Sequence, residues 1–398
     1  MKNNLLLGFV ILAMLFSSCA SDDTADVIIN VTNNGGGNNG GGDPDTIFLS
    51  GTFTEDLTLD ANNTYKLNGS LIMASGTTLT IPAGMTIEAL AAGSDVYIAI
   101  SQGAQIIANG TADNPIVLTS DASAPQAGDW GGLIILGNAP INSVTGTATS
   151  TSEIASLPYG GTNSTDNSGI IRYLRVEYSG GSADGQSENN GFSFYGVGSG
   201  TIVEYIQAYE GKDDGVEFFG GTVNVNFVAV VNSQDDSIDW TEGYTGSITN
   251  AYVRHGAQHD KGIEADGYNT DIGNNSNPIF WSKPTVSNLT IVGNGSGTGN
   301  EAVRLRAGTQ GIFSNVLIEG FEEGFDLDGD AGAMSDNPTG TGVLNGDLSV
   351  SDVTFTDVIL QVKNDTGETF ADSEFLSGIG NATGTDFATW GAGWTIGN

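Results

Sequence analysis

The stretch "SQDDSIDWTEG" (residues 233–243) places Asp235, Asp236, Asp239 and Glu242 in eight positions with no basic residue among them. Related stretches recur: "GKDDGVEFFG" (211–220), "HDKGIEADGY" (259–268), "NEAVRLRAG" (300–308) and "FEEGFDLDGD" (321–330). All five align without gaps on one apolar column, Val216, Ile238, Ile263, Val303 and Phe325. The next column reads Glu217, Asp239, Glu264, Arg304 and Asp326, and two positions before the apolar one stand Asp214, Asp236, Lys261, Glu301 and Glu323. Most steps lie in the twenties, with one long interruption between Ile263 and Val303. That is the mark of a repeat array.

Glycine is 59 of 398 residues, about twice ordinary usage, and no stretch reads as an amphipathic helix of three turns. Between residues 65 and 120 short apolar or alternating runs ("YKLNGSLIMAS", "TTLTIPAGMTIEA", "DVYIAIS", "AQIIANG", "PIVLTS") are separated by Gly, Asn, Asp or Pro turns too short for crossover helices. A second column, Asn226, Asn250, Asn288, Asn315 and Asp352, precedes a second strand in each repeat. Stacked amides one rung apart can hydrogen-bond along such a column while serving a turn backbone. About three strands per repeat are too few for a propeller blade. The expected fold is all-β: a single-stranded right-handed parallel β-helix with excursion loops and terminal caps, of some thirteen rungs and roughly 60 Å at ~4.8 Å per rung.

The expected organisation is a signal peptide over 1–18, a lipidated Cys19 with a Gly/Asn-rich spacer over 19–45, the β-helix over 46–370 and a C-terminal cap over 371–398 that carries Trp390 and Trp394. The apolar run from Leu5 to Phe16 is too short for a bilayer span, so Cys19, the one cysteine, predicts an anchored rather than spanning protein. Excursions are expected at about 140–168, 180–190, 268–285 and 329–346. Eleven Lys and Arg against 47 Asp and Glu give a net charge of −36, which excludes nucleic acid and anionic lipid as partners.

Because strand side chains alternate, an inward apolar column puts the ladder Glu217, Asp239, Glu264 outward, beside a second outward column of Phe219, Thr241, Asp266, Arg306 and Asp328. Carboxylates one rung apart raise one another's pKa unless a cation intervenes. Oxygen-only ligands suit calcium, and nothing suggests zinc or a redox metal. The metal candidates are Glu323, Asp326, Asp328 and Asp330. His255 and His259, four residues apart without a matched partner, read as packing or surface residues.

"GDWGGLIILGNAPIN" (128–142), the "DDGVEF" and "DDSIDWTEG" turns, "KGIEAD" and the closing "GWT" together resemble secreted β-helix surface lipoproteins of Bacteroidetes-type bacteria. The resemblance implies the fold and an outer-membrane, surface-exposed location, for which "CASDD" after the signal is suited. Locally, "KDDG", "QDDS", "DKGI" and "VRLR" are similar to successive rungs of polygalacturonase-type hydrolases. That likeness implies water activation by Asp214 and Asp235, a proton donor in Asp236, and uronate contacts from Lys261, Arg304 and Arg306. It departs where those enzymes have histidine and this chain has Lys261.

The favoured reading is a non-catalytic surface lipoprotein whose acidic rod binds calcium and presents loops to glycan or an outer-membrane partner. An inverting glycoside hydrolase is the alternative, and a structural or adhesive element a second one.

Overall fold

The computed structural model describes residues 28–32, 46–142, 147–183, 188–269, 278–329 and 338–397. All its strands but Ser150–Thr151 and Pro158–Tyr159, which pair with each other, join one sheet, parallel except at its first strand and coiled into a right-handed β-helix. The first face carries short strands, among them Leu133–Leu136, Phe192–Tyr195, Val216–Phe219, Ile238–Thr241 and Ile263–Asp266. Its apolar column is in register: Val216 faces Ile238, then Ile263, Val303, Phe325 and Val362. Phe218 and Trp240 lie one above the other inside. The face has eleven levels among the described residues, following Thr52, Ile72, Ala99, Ile134, Ser193, Glu217, Asp239, Glu264, Arg304, Asp326 and Lys363. The expected thirteen assumed a uniform period, whereas the chain between Leu136 and Gly169 leaves the stack.

The remaining sides are built by longer strands such as Ile202–Tyr209, Asn224–Val231, Ser247–Arg254 and Thr285–Val292. Each bends once at a left-handed residue: Tyr173, Tyr205, Phe227, Asn250, Asn288, Asn315 and Asp352 have φ between 46° and 62°. Non-glycine residues resist this conformation, so stacking and side-chain hydrogen bonds must hold it. Tyr173, Tyr205 and Phe227 stack at 4.3 and 4.2 Å. Further along, Asn315 donates to Asn288 at 2.8 Å, Asn288 to Asn250 at 3.0 Å, and Asn250 to Asn226 at 2.9 Å. Asn226 is one residue out of phase with the corner, which Phe227 occupies, yet its amide still ends the ladder.

The interior is one apolar column of Ile, Val, Leu and Phe running the length of the rod. A smaller cluster lies outside the first face: Tyr97, Ile134, Leu136, Tyr195 and Phe219 are covered by Ile141, Ile154 and Tyr159 of the first excursion. Phe219 and Thr241 point outward as expected but are buried. The excursion is clamped by Tyr159, whose hydroxyl donates to buried Glu242 at 2.6 Å.

At the C-terminal end Phe375 enters the core against Phe325. The following residues run back along the side of the rod instead of over its end. Phe387 stacks on Tyr252 at 3.9 Å, Trp390 meets Phe227, and Trp394 sits edge-on to Tyr173 and Tyr205. Gln207 fastens this strap through both its amide donor and its carbonyl, to Ile396. Within the stretch read as a spacer, Ile28–Thr32 pairs antiparallel with Thr46–Ser50. Residues 1–18, Cys19 and the glycine run lie outside the described residues.

Candidate functional site: an acidic face across three rungs

The doubled acids have a local structural cause. Asp214 accepts the Asp236 amide of the next rung at 3.0 Å, and Asp236 accepts the Lys261 amide at 2.6 Å. Each second acid thus clips its turn to the one above. The residue that follows must be small: at Gly215 a Cβ would lie 2.3 Å from Val230 Cγ1. This leaves the first acids, Asp213 and Asp235, free of that duty at the partly exposed rim.

One strand step later the outer ladder is realised, with Glu217, Asp239 and Glu264 facing one another in register. Carboxylate oxygens come within 4.8 Å of one another in linked groups: Asp214, Glu217 and Asp239; Asp214, Asp235 and Asp236; Asp236, Asp239 and Glu264; and Glu188, Asp213 and Asp235. Shared members join these into one continuous patch. Burial, and then mutual repulsion, pushes Asp213, Asp214, Glu217, Asp236 and Asp239 well above the usual carboxylate range. Asp235 is raised by burial and by Asp260, with Lys261 opposing.

Partners are few. Asn190 donates to Glu217 at 2.6 Å. The Lys261 ammonium lies 2.6 Å from Asp260, 2.9 Å from Glu264 and 3.9 Å from Asp236. The Arg306 guanidinium grips Asp266 through two nitrogens, at 2.6 and 3.2 Å, and also meets Glu264. Asp239 Oδ1 is shielded from solvent and accepts no hydrogen bond. A set of carboxylate oxygens at this spacing is chemically suited to a hard divalent cation.

A second acidic group lies higher on the same face. Glu301, Glu323 and Asp326 bring oxygens within 4.8 Å of one another, and Lys363 approaches Asp326 at 3.2 Å and Glu323 at 3.4 Å. Of the expected metal ligands, Glu323 and Asp326 therefore converge. Asp328 does not: it turns to the Arg304 guanidinium, because two residues of strand rise carry it one column along the same face. Asp330 lies outside the described residues. Glu301 takes the place expected of Asp328.

Asp214, Asp235 and Asp236 are brought together, one oxygen of each lying within 4.8 Å of the others. Lys261, Arg304 and Arg306, read as uronate contacts, are each engaged by acids of the chain itself: Arg304 by Glu301 and Asp328, the other two as above. His255 is buried, stacked on His259 at 4.2 Å and edge-on to Phe321, a packing role. Sequence reasoning missed Glu188, which reaches the patch from an excursion and carries no periodic signal. Asp213 stood in "GKDDGVEFFG" as the first acid of "DD", while Lys363, which continues the outer column opposite Asp326, lies beyond the five aligned stretches and was missed.

A family described as a pectate-lyase like β-helix domain matches residues 51–395. No curated protein matches the chain. Among solved structures, the catalytic unit of a thermostable GH87 α-1,3-glucanase from Streptomyces thermodiastaticus strain HF3-3 is similar over 87% of this chain and 64% of that one, at 11% identity and a TM-score of 0.37. The chain thus spans under two thirds of that structure's length.

Proposed function

We propose that this chain, which belongs to the pectate-lyase like β-helix family, is a carbohydrate-active protein that hydrolyses glycosidic bonds on its acidic face. One observation carries the reading: Asp213 and Asp235, at the rim of adjacent rungs, bring oxygens within 4.8 Å with unequal proton affinities. Loss of hydration and the charges of Glu188 and Asp235 raise the Asp213 carboxyl well above the usual carboxylate range, which suits it to protonate a leaving oxygen. Asp235 is raised less, because the Lys261 charge opposes the shift, and is suited to attack the anomeric carbon as the leaving oxygen departs with the Asp213 proton; water, deprotonated by the Asp213 carboxylate, then cleaves the resulting ester and frees Asp235. Pairs pushed apart in this way divide acid from base, and a close pair of carboxyls of this kind suits double displacement. Asp214, Glu217 and Asp239 would hold a calcium ion below this pair and keep the patch compact.

The test is release of reducing ends from a panel of glucans and pectic uronans with calcium present. Asp235→Asn and Asp213→Asn should each lower turnover by about 10²–10⁴, with circular dichroism unchanged. Hydrolysis that survives Asp235→Asn would overturn the reading.

A second reading is favoured by the clipping roles of Asp214 and Asp236: a non-catalytic rod whose acids serve the fold and a calcium ion, and whose loops meet glycan or an outer-membrane protein. Glycan binding without cleavage would select it. In either case the signal and Cys19 support a lipoprotein tethered at the outer membrane and exposed at the surface. Cys19→Ser should release it from the membrane fraction, and retention there would rule the anchor out.

A further inference from the structure

The two ends of the rod are finished differently. At the first rung Thr46–Phe53 is covered by Ile28–Thr32, running antiparallel to it. At the last, Leu348–Asn364 pairs along its length with Gly311–Leu327. On its other side only Val350, Ser351 and Val353 have strand partners, from Leu376–Ile379. Among the described residues, then, no strand pairs with the outer edge of 358–364. Phe375 closes the core beneath it, yet Ile359 is 67% exposed, Leu360 41%, and Ile379, at the tip of the neighbouring strand, 55%.

Edge strands are ordinarily protected by proline, bulges or outward lysines. Residues 348–364 contain no proline, and their one lysine, Lys363, is drawn to Asp326, Glu323 and Asp365 at 3.2, 3.4 and 3.5 Å. What borders the edge is acidic: Asp365, Asp372 and Glu374 are all exposed, whereas Asp357 accepts from Ser296 with both carboxylate oxygens.

The geometry points to this edge as a docking site for an extended segment of another protein, one that alternates apolar residues with lysine or arginine and adds to the sheet as a further strand. The backbone supplies the ladder, as in other strand additions. Ile359, Leu360 and Ile379 receive the apolar side chains, and Asp365, Asp372 and Glu374 receive the cations. A second copy fits poorly. A twofold tail-to-tail pair would set Asp365, Asp372 and Glu374 against themselves, and a head-to-tail pair would meet a covered first rung on a chain of net charge −36. The site is independent of the carbohydrate reading, which concerns other rungs.

The probe is a short peptide alternating lysine and valine, titrated against the full chain at 0.15 M salt by fluorescence anisotropy, with a glutamate–valine peptide as control. The lysine peptide should bind, slow amide exchange in 359–363, and bind equally to Asp235→Asn. Binding should weaken at least tenfold in Ile359→Lys/Leu360→Lys, whose side chains are exposed, and also in Asp365→Asn/Asp372→Asn, which keeps the fold should the first variant lose it. Absence of binding, equal binding of the glutamate peptide, or affinity unchanged in both variants would overturn the proposal. So would a dimer, seen by sedimentation, that Ile359→Lys/Leu360→Lys dissolves, since the edge would then belong to a second copy.

Discussion

The outer column of the first face changes character partway along the rod. In its lower part Glu217, Asp239 and Glu264 follow one another in register; in its upper part Arg304, Asp326 and Lys363 alternate in sign. Backbone geometry is the same in both. Alternation lets each rung neutralise the next, whereas a run of like charges about 4.8 Å apart requires protons or a foreign cation. The difference teaches that the rod itself does not demand an acidic ladder. In the lower part Asp214 and Asp236 have a folding duty as turn clips, a duty that the backbone contacts give to neither Glu217 nor Asp239.

The largest expected effect comes from removing the lysine on which the lower part depends. Lys261 is 8% exposed and faces Asp260, Glu264 and Asp236. Lys261→Met should cost about 3–5 kcal/mol in urea denaturation without calcium, as loss of one partner from a buried charge group does. Lys363 is 34% exposed, so solvent screens its pairs and Lys363→Met should cost about 1 kcal/mol. Equal losses would mean that the two parts are electrostatically alike.

The next effect sharpens the comparison through pH. In the lower part Asp213, Asp214, Glu217, Asp236 and Asp239 have raised folded pKa values. The folded state therefore keeps protons that the unfolded chain has lost above about pH 4, and stability falls as pH rises from there toward the folded values. Chelated protein should melt at higher temperature at pH 5 than at pH 8. Calcium should reverse that order by stabilising the ionised patch through mass action, and Glu217→Gln/Asp239→Asn should abolish the reversal. His255 acts in the opposite sense: burial lowers its pKa to about 3, so stability is lost as pH falls from about 6.5 toward 3. A melting temperature independent of pH and calcium between 5 and 8 would show that the lower patch is an ordinary solvated face.

How much of this was legible follows from what repeats. The apolar and acidic columns were readable because stacking in register makes each residue predict its neighbour one period away, and Val216 to Phe325 fall where the period puts them. The asparagine ladder was readable for the same reason, and its one phase error, Asn226, arose because Phe227 fills the corner there. Excursions repeat nothing. Glu188 and Tyr159 reach the acidic face from loops whose path the sequence does not encode periodically. Asp328 was misplaced because a local "DLDGD" pattern suggested convergence, while its place two residues along the same face, one column from Asp326, brings it to Arg304. The strap was read as an end cap because tryptophans suit either duty, and only the aromatic column beneath distinguishes them.

The smallest expected effect concerns the corner column, which changes from aromatic to amide near where the outer face changes from acidic to mixed. Phe227 and Asn288 share a left-handed backbone, φ 62° and 54°, but hold it by different means. At Asn288 the amide donates to Asn250 and accepts from Asn315; at Phe227 the ring stacks on Tyr205 and meets Trp390. Alanine at either site keeps the strained φ and loses the contacts. Glycine loses the same contacts and relieves about 1 kcal/mol of strain, a gain partly offset by its greater unfolded entropy. Denaturant midpoints should thus place glycine above alanine by a similar fraction of a kcal/mol at both sites. Against the native residue the two sites should separate: Phe227→Ala also loosens the strap through Trp390 and should expose tryptophan fluorescence to quencher, whereas Asn288→Ala should leave that fluorescence unchanged. Should glycine rescue one site and not the other, the corner conformation would be imposed by the rung stack in one region and by the side chain in the other.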